Sequence, residues 1–280
     1  MTGPSIANAI PNAIPNALSI AGSDPSGGAG IQADLKSFSA NRVFGMAVIT
    51  ALTAQNTRGV SDIHLPPASF IASQTDAIFE DVRVDAIKIG MVATAEIAIT
   101  VMKAIRDRPC RHIVLDPVMV AKGGASLLDT NAVASVRRDL LPLASVLTPN
   151  LPEAGVLLGQ APATSRAEML SQAHALLEHG PQAVLMKGGH FDGTQSPDLL
   201  VSAEGEQWFE AERIDSANTH GTGCSLSSAL AANLARGMSL AAATAEAKSF
   251  ITNAIRFADQ LDVGSGHGPT HHFHALWKDE

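Results

Sequence analysis

The 280-residue chain has no run of basic residues and no stretch of about 18 or more apolar ones. The first absence, with a formal net charge of −8, argues against nucleic acid as the main partner, because neutralising a phosphate backbone takes clustered Lys and Arg. A small anionic ligand needs only local donors and is not excluded. The second absence leaves no membrane span to expect. The N-terminus lacks the basic start and apolar centre of a signal peptide. Only two cysteines occur, Cys110 and Cys224, far apart and without CxxC spacing. A disulfide framework or zinc site is therefore not expected, and a reducing, cytoplasmic setting is. Also missing are the Walker lysine and the GxGxxG spacing, so neither the phosphate loop nor the dinucleotide fingerprint applies.

Hydrophobic residues make up 46% and charged residues 16%, enough for a sizeable core and against wholesale disorder. The length suits one large α/β domain or two small ones. Residues 1–16 repeat Asn-Ala-Ile-Pro, and proline every fourth residue blocks helix and central strand alike. They read as a poorly ordered extension, with a single domain over 17–280.

Apolar runs and helical spacings then alternate. Strands are expected at 17–22, 44–54, 86–90, 112–115, 145–147 and 183–186. Helices are expected at 31–39, 66–80, 94–106 (with Thr94 as N-cap), 131–140, 165–179 and 240–257. Two short strands at 198–202 and 207–211 flank Glu204-Gly205-Glu206 and read as an edge hairpin. Strands alternating with helices predict parallel βαβ units covered on both faces.

Polar groups fall repeatedly just after strands: Gln55, Asp116, Asn150 and Lys187, with Met91 among them. In open α/β sheets that edge holds ligands. Gln55 serves a ligand or ends a solvated turn. Asn150 and Glu153 are either a capping pair or an outer-shell Mg²⁺ site, since Mg²⁺ keeps its waters and takes few carboxylates. His271, His272 and His274 near the end have metal-ligating chemistry but no HExxH scaffold.

The densest signal is Asn-Thr-His-Gly-Thr-Gly-Cys at 218–224. Gly221 and Gly223 bracket Thr222, and an apolar helical pattern starts at once. A loop that opens onto a helix N-terminus offers unpaired N–H groups and a favourable dipole to an anion. Cys224 falls in the first turn, a position that tends to lower a thiol pKa.

Together with the stretches at 21–36, 49–57, 88–91, 148–154 and 186–190, this loop resembles the bacterial hydroxymethylpyrimidine/phosphomethylpyrimidine kinases of thiamine biosynthesis, in the ribokinase-like superfamily. The resemblance covers about 17–275, including the closing Gly-Pro-Thr-His-His-Phe-His. It implies a ribokinase-like three-layer αβα sandwich, mostly parallel, with a short antiparallel edge hairpin. It also implies ATP and Mg²⁺ as cosubstrate and cofactor, two successive phosphorylations of one pyrimidine, and a homodimer. By position it suggests that Gln55 bonds the aminopyrimidine, with Asp34, Gly22, Ala29 and Met91 lining the same pocket. Asn150 and Glu153 would order Mg²⁺. Lys187, Lys248, Asp116 and Thr222 would lie toward ATP and its phosphates, and Gly221, Gly223 and Cys224 would form the anion hole. A pyridoxine or pyridoxal kinase of the same superfamily is the alternative, and a catalytically silent binder is a third reading. Two features depart from the family's pattern: the proline repeat, and Gly123-Gly124 where Ser-Gly is frequent.

Most ribokinase-like sugar kinases carry Asp where this chain has Cys224. The difference suits a second acceptor that is itself a phosphate monoester. That acceptor is largely ionised at neutral pH and would be repelled by a carboxylate.

Overall fold

The computed structural model describes residues 13–119 and 130–277. Its centre is a sheet of nine strands among the described residues: β1 (Asn16–Ser23), β2 (Phe44–Asn56), β3 (Gly59–His64), β4 (Ala86–Ile89), β5 (His112–Leu115), β6 (Val146–Leu147), β7 (Ala183–Lys187), β8 (Asp198–Ser202) and β9 (Gly205–Phe209). The order is β3-β2-β1-β4-β5-β6-β7-β8-β9, parallel from β2 through β7 and antiparallel at both edges. The central strands β4 to β7 are short and buried along most of their length, as strands covered on both faces must be.

Helices α1 (Gly30–Ala40), α7 (Thr222–Ala235) and α8 (Leu240–Arg256) cover one face. Phe38, Leu226, Leu230, Leu234 and Ile251 close a core there against Val114, Leu185 and Leu200. The other face carries α2 (Ala68–Asp81), α3 (Ala95–Ile105), α4 (Thr130–Ser135), α5 (Leu151–Leu158) and α6 (Arg166–Leu177). Their Ile71, Ile97, Val101, Leu157 and Met169 pack on Leu18, Ile20, Ile89 and Leu147. This is the expected three-layer sandwich.

Local signals explain most boundaries. Thr94 caps α3, accepting from Ile97 N–H, and Ser165 caps α6, accepting from Glu168 N–H. Asn150 and Glu153 form a reciprocal capping box at the start of α5. The helix expected over 131–140 instead breaks after Ser135 into a π turn (Val136–Leu140), and a 3₁₀ turn (Leu141–Leu143) containing Pro142 ends it. Strand β3 was not expected. Its residues are half-buried or exposed, so no hydrophobic pattern marks it, and only pairing with β2 holds it. Asn16, assigned from sequence to the extension, is the first residue of β1, held through its backbone N–H to Asp85 and its side chain to Arg83. The rest of the proline repeat through residue 12, and Gly123-Gly124, lie outside the described residues.

Candidate active site

One cavity of about 770 Å³ runs along the carboxyl ends of the strands. Of the residues singled out from sequence, Gly22, Ala29, Gln55, Met91, Asp116, Asn150, Glu153, Lys187, Gly221, Thr222, Gly223, Cys224 and Lys248 all line it.

The wall of the cavity at Gly221–Cys224 is built largely from backbone. Gly221 caps α7 in the left-handed region at φ 78°, and a Cβ there would lie 1.7 Å from the Gly28 carbonyl oxygen. Only glycine allows that contact, which brings the N-termini of α1 and α7 side by side. The Thr222 hydroxyl donates to Thr219 O at 2.7 Å and tightens the turn. First-turn N–H groups of α7 at Gly223 and Cys224 have no carbonyl within the helix to bond, so they are available to a ligand. Behind them sits the Lys187 ammonium, 2.8 Å from Asp116 and 3.8 Å from Glu153.

Charge at this end is closely balanced. Burial would raise the Asp116 pKa, but Lys187, Lys88 and hydrogen bonds from Lys187 and Thr148 hold it below the usual carboxylate range. Burial, aided by Asp116 and opposed by Lys187, pushes Glu153 up to about 7. The capping box and the site are therefore the same residues: Glu153 caps Asn150 and also lines the cavity beside Lys187. Among the described residues no group of three or more His, Cys, Asp or Glu converges on a metal position. A hydrated divalent ion that takes one or two carboxylates fits Asp116 and Glu153 on chemistry.

Two expectations need correcting. Asp34 does not line the cavity. It lies fully buried beneath it, accepting from Lys88 Nζ at 2.8 and 3.0 Å, from Ser19 Oγ at 2.6 Å and from Ser228 Oγ at 2.7 Å. A carboxylate in the first turns of α1 points back into the sandwich, where Lys88 of β4 meets it. Cys224 is also not an activated thiol. Burial, with Asp34 and Asp116 nearby, outweighs Lys88 and pushes it up to about 11, so the helix N-terminus does not leave it ionised at neutral pH.

Gly22, Met91 and Gln55 line another part of the cavity. Met91 and Gly22 face each other, with no room for a Cβ on Gly22 beside the Met91 methyl. Gln55 sits one residue from the end of β2, where the register against β3 shifts between Ala54 and Gln55. Its amide lies 3.3 Å from His220 Nε2, which in turn is 2.8 Å from Asp24 Oδ2. Lys248, expected toward ATP, is held at 2.8 Å by Asp198 and donates to Ser196 O at 2.7 Å.

Sequence reasoning did not single out Lys88, Asp24, Asp198 or His220 as site residues. Lys88 is a cation in the otherwise apolar Ala-Ile-Lys-Ile of β4, and that was the available signal. The tail histidines do not gather on a metal. His272 bonds Ser225 at 2.9 Å, His274 stacks on Phe257 and lies tilted against Phe250, and His271 packs tilted against Trp277.

Known proteins resemble this chain over most of its length. A sequence profile for a family described as Phosphomethylpyrimidine kinase matches residues 24–271. A hydroxymethylpyrimidine/phosphomethylpyrimidine kinase of Escherichia coli K12 is 54% identical over 260 residues, covering 93% of this chain and 98% of that one. Among solved structures, phosphomethylpyrimidine kinase from Clostridium difficile 630 superposes with a TM-score of 0.77 at 42% identity, covering 87% and 100% of the two chains. Pyridoxal kinase of Bacillus subtilis, solved as an ADP complex, superposes with a TM-score of 0.86 at 35% identity, covering 94% and 99%.

Proposed function

The chain belongs to the phosphomethylpyrimidine kinase family, and from that premise we propose that it transfers phosphoryl groups from ATP to 4-amino-5-hydroxymethyl-2-methylpyrimidine, first to the monophosphate and then to the diphosphate. The observation that carries this reading is one cavity lined both by Gln55, Met91 and Gly22, suited to a heteroaromatic ring, and by Gly221–Cys224 at a helix N-terminus, suited to an anion. Transfer through a loose transition state asks mainly for positioning and charge stabilisation. Gly223 and Cys224 N–H groups receive the transferring phosphoryl oxygens, and the Lys187 ammonium supports them from behind. Lys248, fixed by Asp198, borders the ATP side. Asn150, Glu153 and Asp116 would hold a hydrated Mg²⁺, which would supply charge neutralisation at the phosphate oxygens.

A thiol near pKa 11 is neutral at pH 7, so Cys224 acts as an uncharged wall of the acceptor site rather than as a base. That suits both acceptors, the alcohol and the ionised monoester. Cys224→Asp adds a third carboxylate beside Asp34 and Asp116. We expect it to retain the first phosphorylation while reducing the second at least about tenfold, roughly 1.4 kcal/mol of barrier. ADP release with Mg-ATP, with products resolved by mass, tests both statements. Monophosphate followed by diphosphate supports the function, whereas turnover of pyridoxal alone would move it to the alternative vitamer. Equal loss of both steps in the variant would remove the role given to Cys224. The protein further acts as a homodimer in this reading. The exposed apolar Leu52, Ile63 and Leu65 around the β2–β3 ribbon support that, and sedimentation velocity decides it.

A further inference from the structure

The Gln55 amide sits between two groups whose donor and acceptor roles are set by other partners. On one side is His220 Nε2, 2.8 Å from Asp24 Oδ2. Asp24 can only accept there. Its Oδ1 takes Ser26 N–H and Oγ–H at 2.9 and 2.7 Å, and its Oδ2 takes Ala29 N–H at 2.8 Å. His220 Nε2 therefore carries the proton and points it at Asp24. On the other side, Thr53 Oγ1 lies 2.8 Å from the Ser23 carbonyl oxygen, which has no proton to give, so the single hydroxyl proton goes there.

Gln55 Nε2 lies 3.3 Å from His220 Nε2, and Gln55 Oε1 lies 3.2 Å from Thr53 Oγ1. That arrangement sets two N–H donors against each other and asks one hydroxyl proton to serve two acceptors. Amide oxygen and nitrogen are isosteric, and the surrounding network decides which is which. Turned over, the amide puts its oxygen within reach of the His220 N–H and donates its own N–H to Thr53. The clash of N–H against N–H is gone, Thr53 keeps its proton on Ser23 while accepting from Gln55, and the His220 N–H, aimed at Asp24 at 2.8 Å, shares its proton with the amide oxygen at the longer 3.3 Å.

We infer that Asp24, His220 and Thr53 lock the Gln55 amide in this turned-over orientation, and that the lock makes His220 a positioning residue for ring specificity. The inference rests on the reading of Gln55 as the ring contact. With one lone pair of Oε1 and one hydrogen of Nε2 engaged behind it, the amide presents one acceptor on the His220 side and one donor on the Thr53 side. A ring offering an amino group and an adjacent unprotonated nitrogen matches that order. A ring offering a carbonyl and an adjacent N–H, as when the 4-amino group is replaced by 4-oxo, inverts both partners.

The imidazole is held as such a lock requires. Gly28 packs on its edge so closely that a Cβ would lie 2.3 Å from Cδ2. The His220 backbone N–H bonds Gly268 O at 3.0 Å, and Gly268 N–H returns to Asn218 Oδ1 at 3.0 Å. His220 thus has little freedom to turn away from Asp24.

Two measurements test this. In wild-type protein, ¹⁵N NMR of the His220 imidazole should find Nε2 protonated throughout the active pH range; an unprotonated Nε2 overturns the lock. Steady-state kinetics then compare the 4-amino substrate with its 4-oxo analogue. Wild type should favour the amino ring by roughly 10² or more in kcat/KM. His220→Phe, which keeps a planar ring but has no proton to aim, should bring that ratio down at least about tenfold, mainly through KM. Equal loss on both substrates would reduce His220 to a structural residue and overturn the proposal. Gln55→Leu separates the two levels. If its KM for the amino ring is unchanged, Gln55 is not the ring contact and the proposal falls with that reading. If its KM rises while His220→Phe leaves the ratio intact, the lock alone falls. Should His220→Phe fail to fold, an unprotonated Nε2 in wild type still overturns the lock.

Discussion

Cys224 and Glu153 show how far surroundings can override position. Cys224 stands in the first turn of α7, where the dipole alone favours a thiolate, yet it shares its neighbourhood with Asp34 and Asp116 and is pushed up to about 11. Asn150 and Glu153 were legible from sequence as either a capping pair or an ion site. The structure makes the cap a fact and leaves the carboxylate facing the cavity. Spacing marks which residues share a turn. It does not say which way a side chain points once the sandwich closes, which is why Asp34 was placed in the pocket and lies beneath it.

That buried carboxylate ties four elements together: α1 through Asp34, β4 through Lys88, β1 through Ser19 and α7 through Ser228. Lys88 and Asp34 are both 0% exposed. Removing one partner strands the other charge, so Lys88→Met should cost about 3–5 kcal/mol in urea unfolding. Lys88→Met combined with Asp34→Asn should recover most of that loss, because the amide oxygen still accepts from one serine and the amide N–H can donate to the hydroxyl oxygen of the other. A double variant no more stable than the single would show that the pair's charges are not what matters.

The closing segment makes a second junction. His272 is buried against Ser225 of α7, and burial, with Lys36, His271 and His274 adding, lowers its pKa to about 3. The unfolded imidazole takes up a proton near pH 6.5 and the folded one refuses it until about pH 3. Stability from this group is therefore complete above pH 6.5 and falls as pH drops through that window, with a slope approaching about 1.4 kcal/mol per pH unit. His272→Asn should flatten the pH dependence of unfolding free energy between pH 6.5 and 4; an unaltered slope would place the acid sensitivity elsewhere.

Across the whole molecule, the alternation of apolar runs with helical spacings was sufficient for the layers, the parallel centre and the β8–β9 hairpin. Strand β3 escaped because nothing buries it, and the break after Ser135 escaped because the helical spacing continues unbroken through it. The pocket was legible as a set of loops after strands. Its polar wiring was not, because partners such as Asp24 and His220 stand 196 positions apart.

The contact of Gly28 with Gly221 has a temporal consequence. The Gly221 loop and Gln55 lie far apart in the chain, and closing so long a loop is entropically slow and comes after local pairing. A nascent chain can assemble β1 to β5 from its first 115 residues and still have no pocket until α7 docks. Ligand binding is therefore a clock for the last folding step. During refolding, recovery of pyrimidine binding should lag recovery of far-ultraviolet circular dichroism. Simultaneous recovery would mean that α7 docks together with the sheet, and the two halves of the site would then be one cooperative unit from the start.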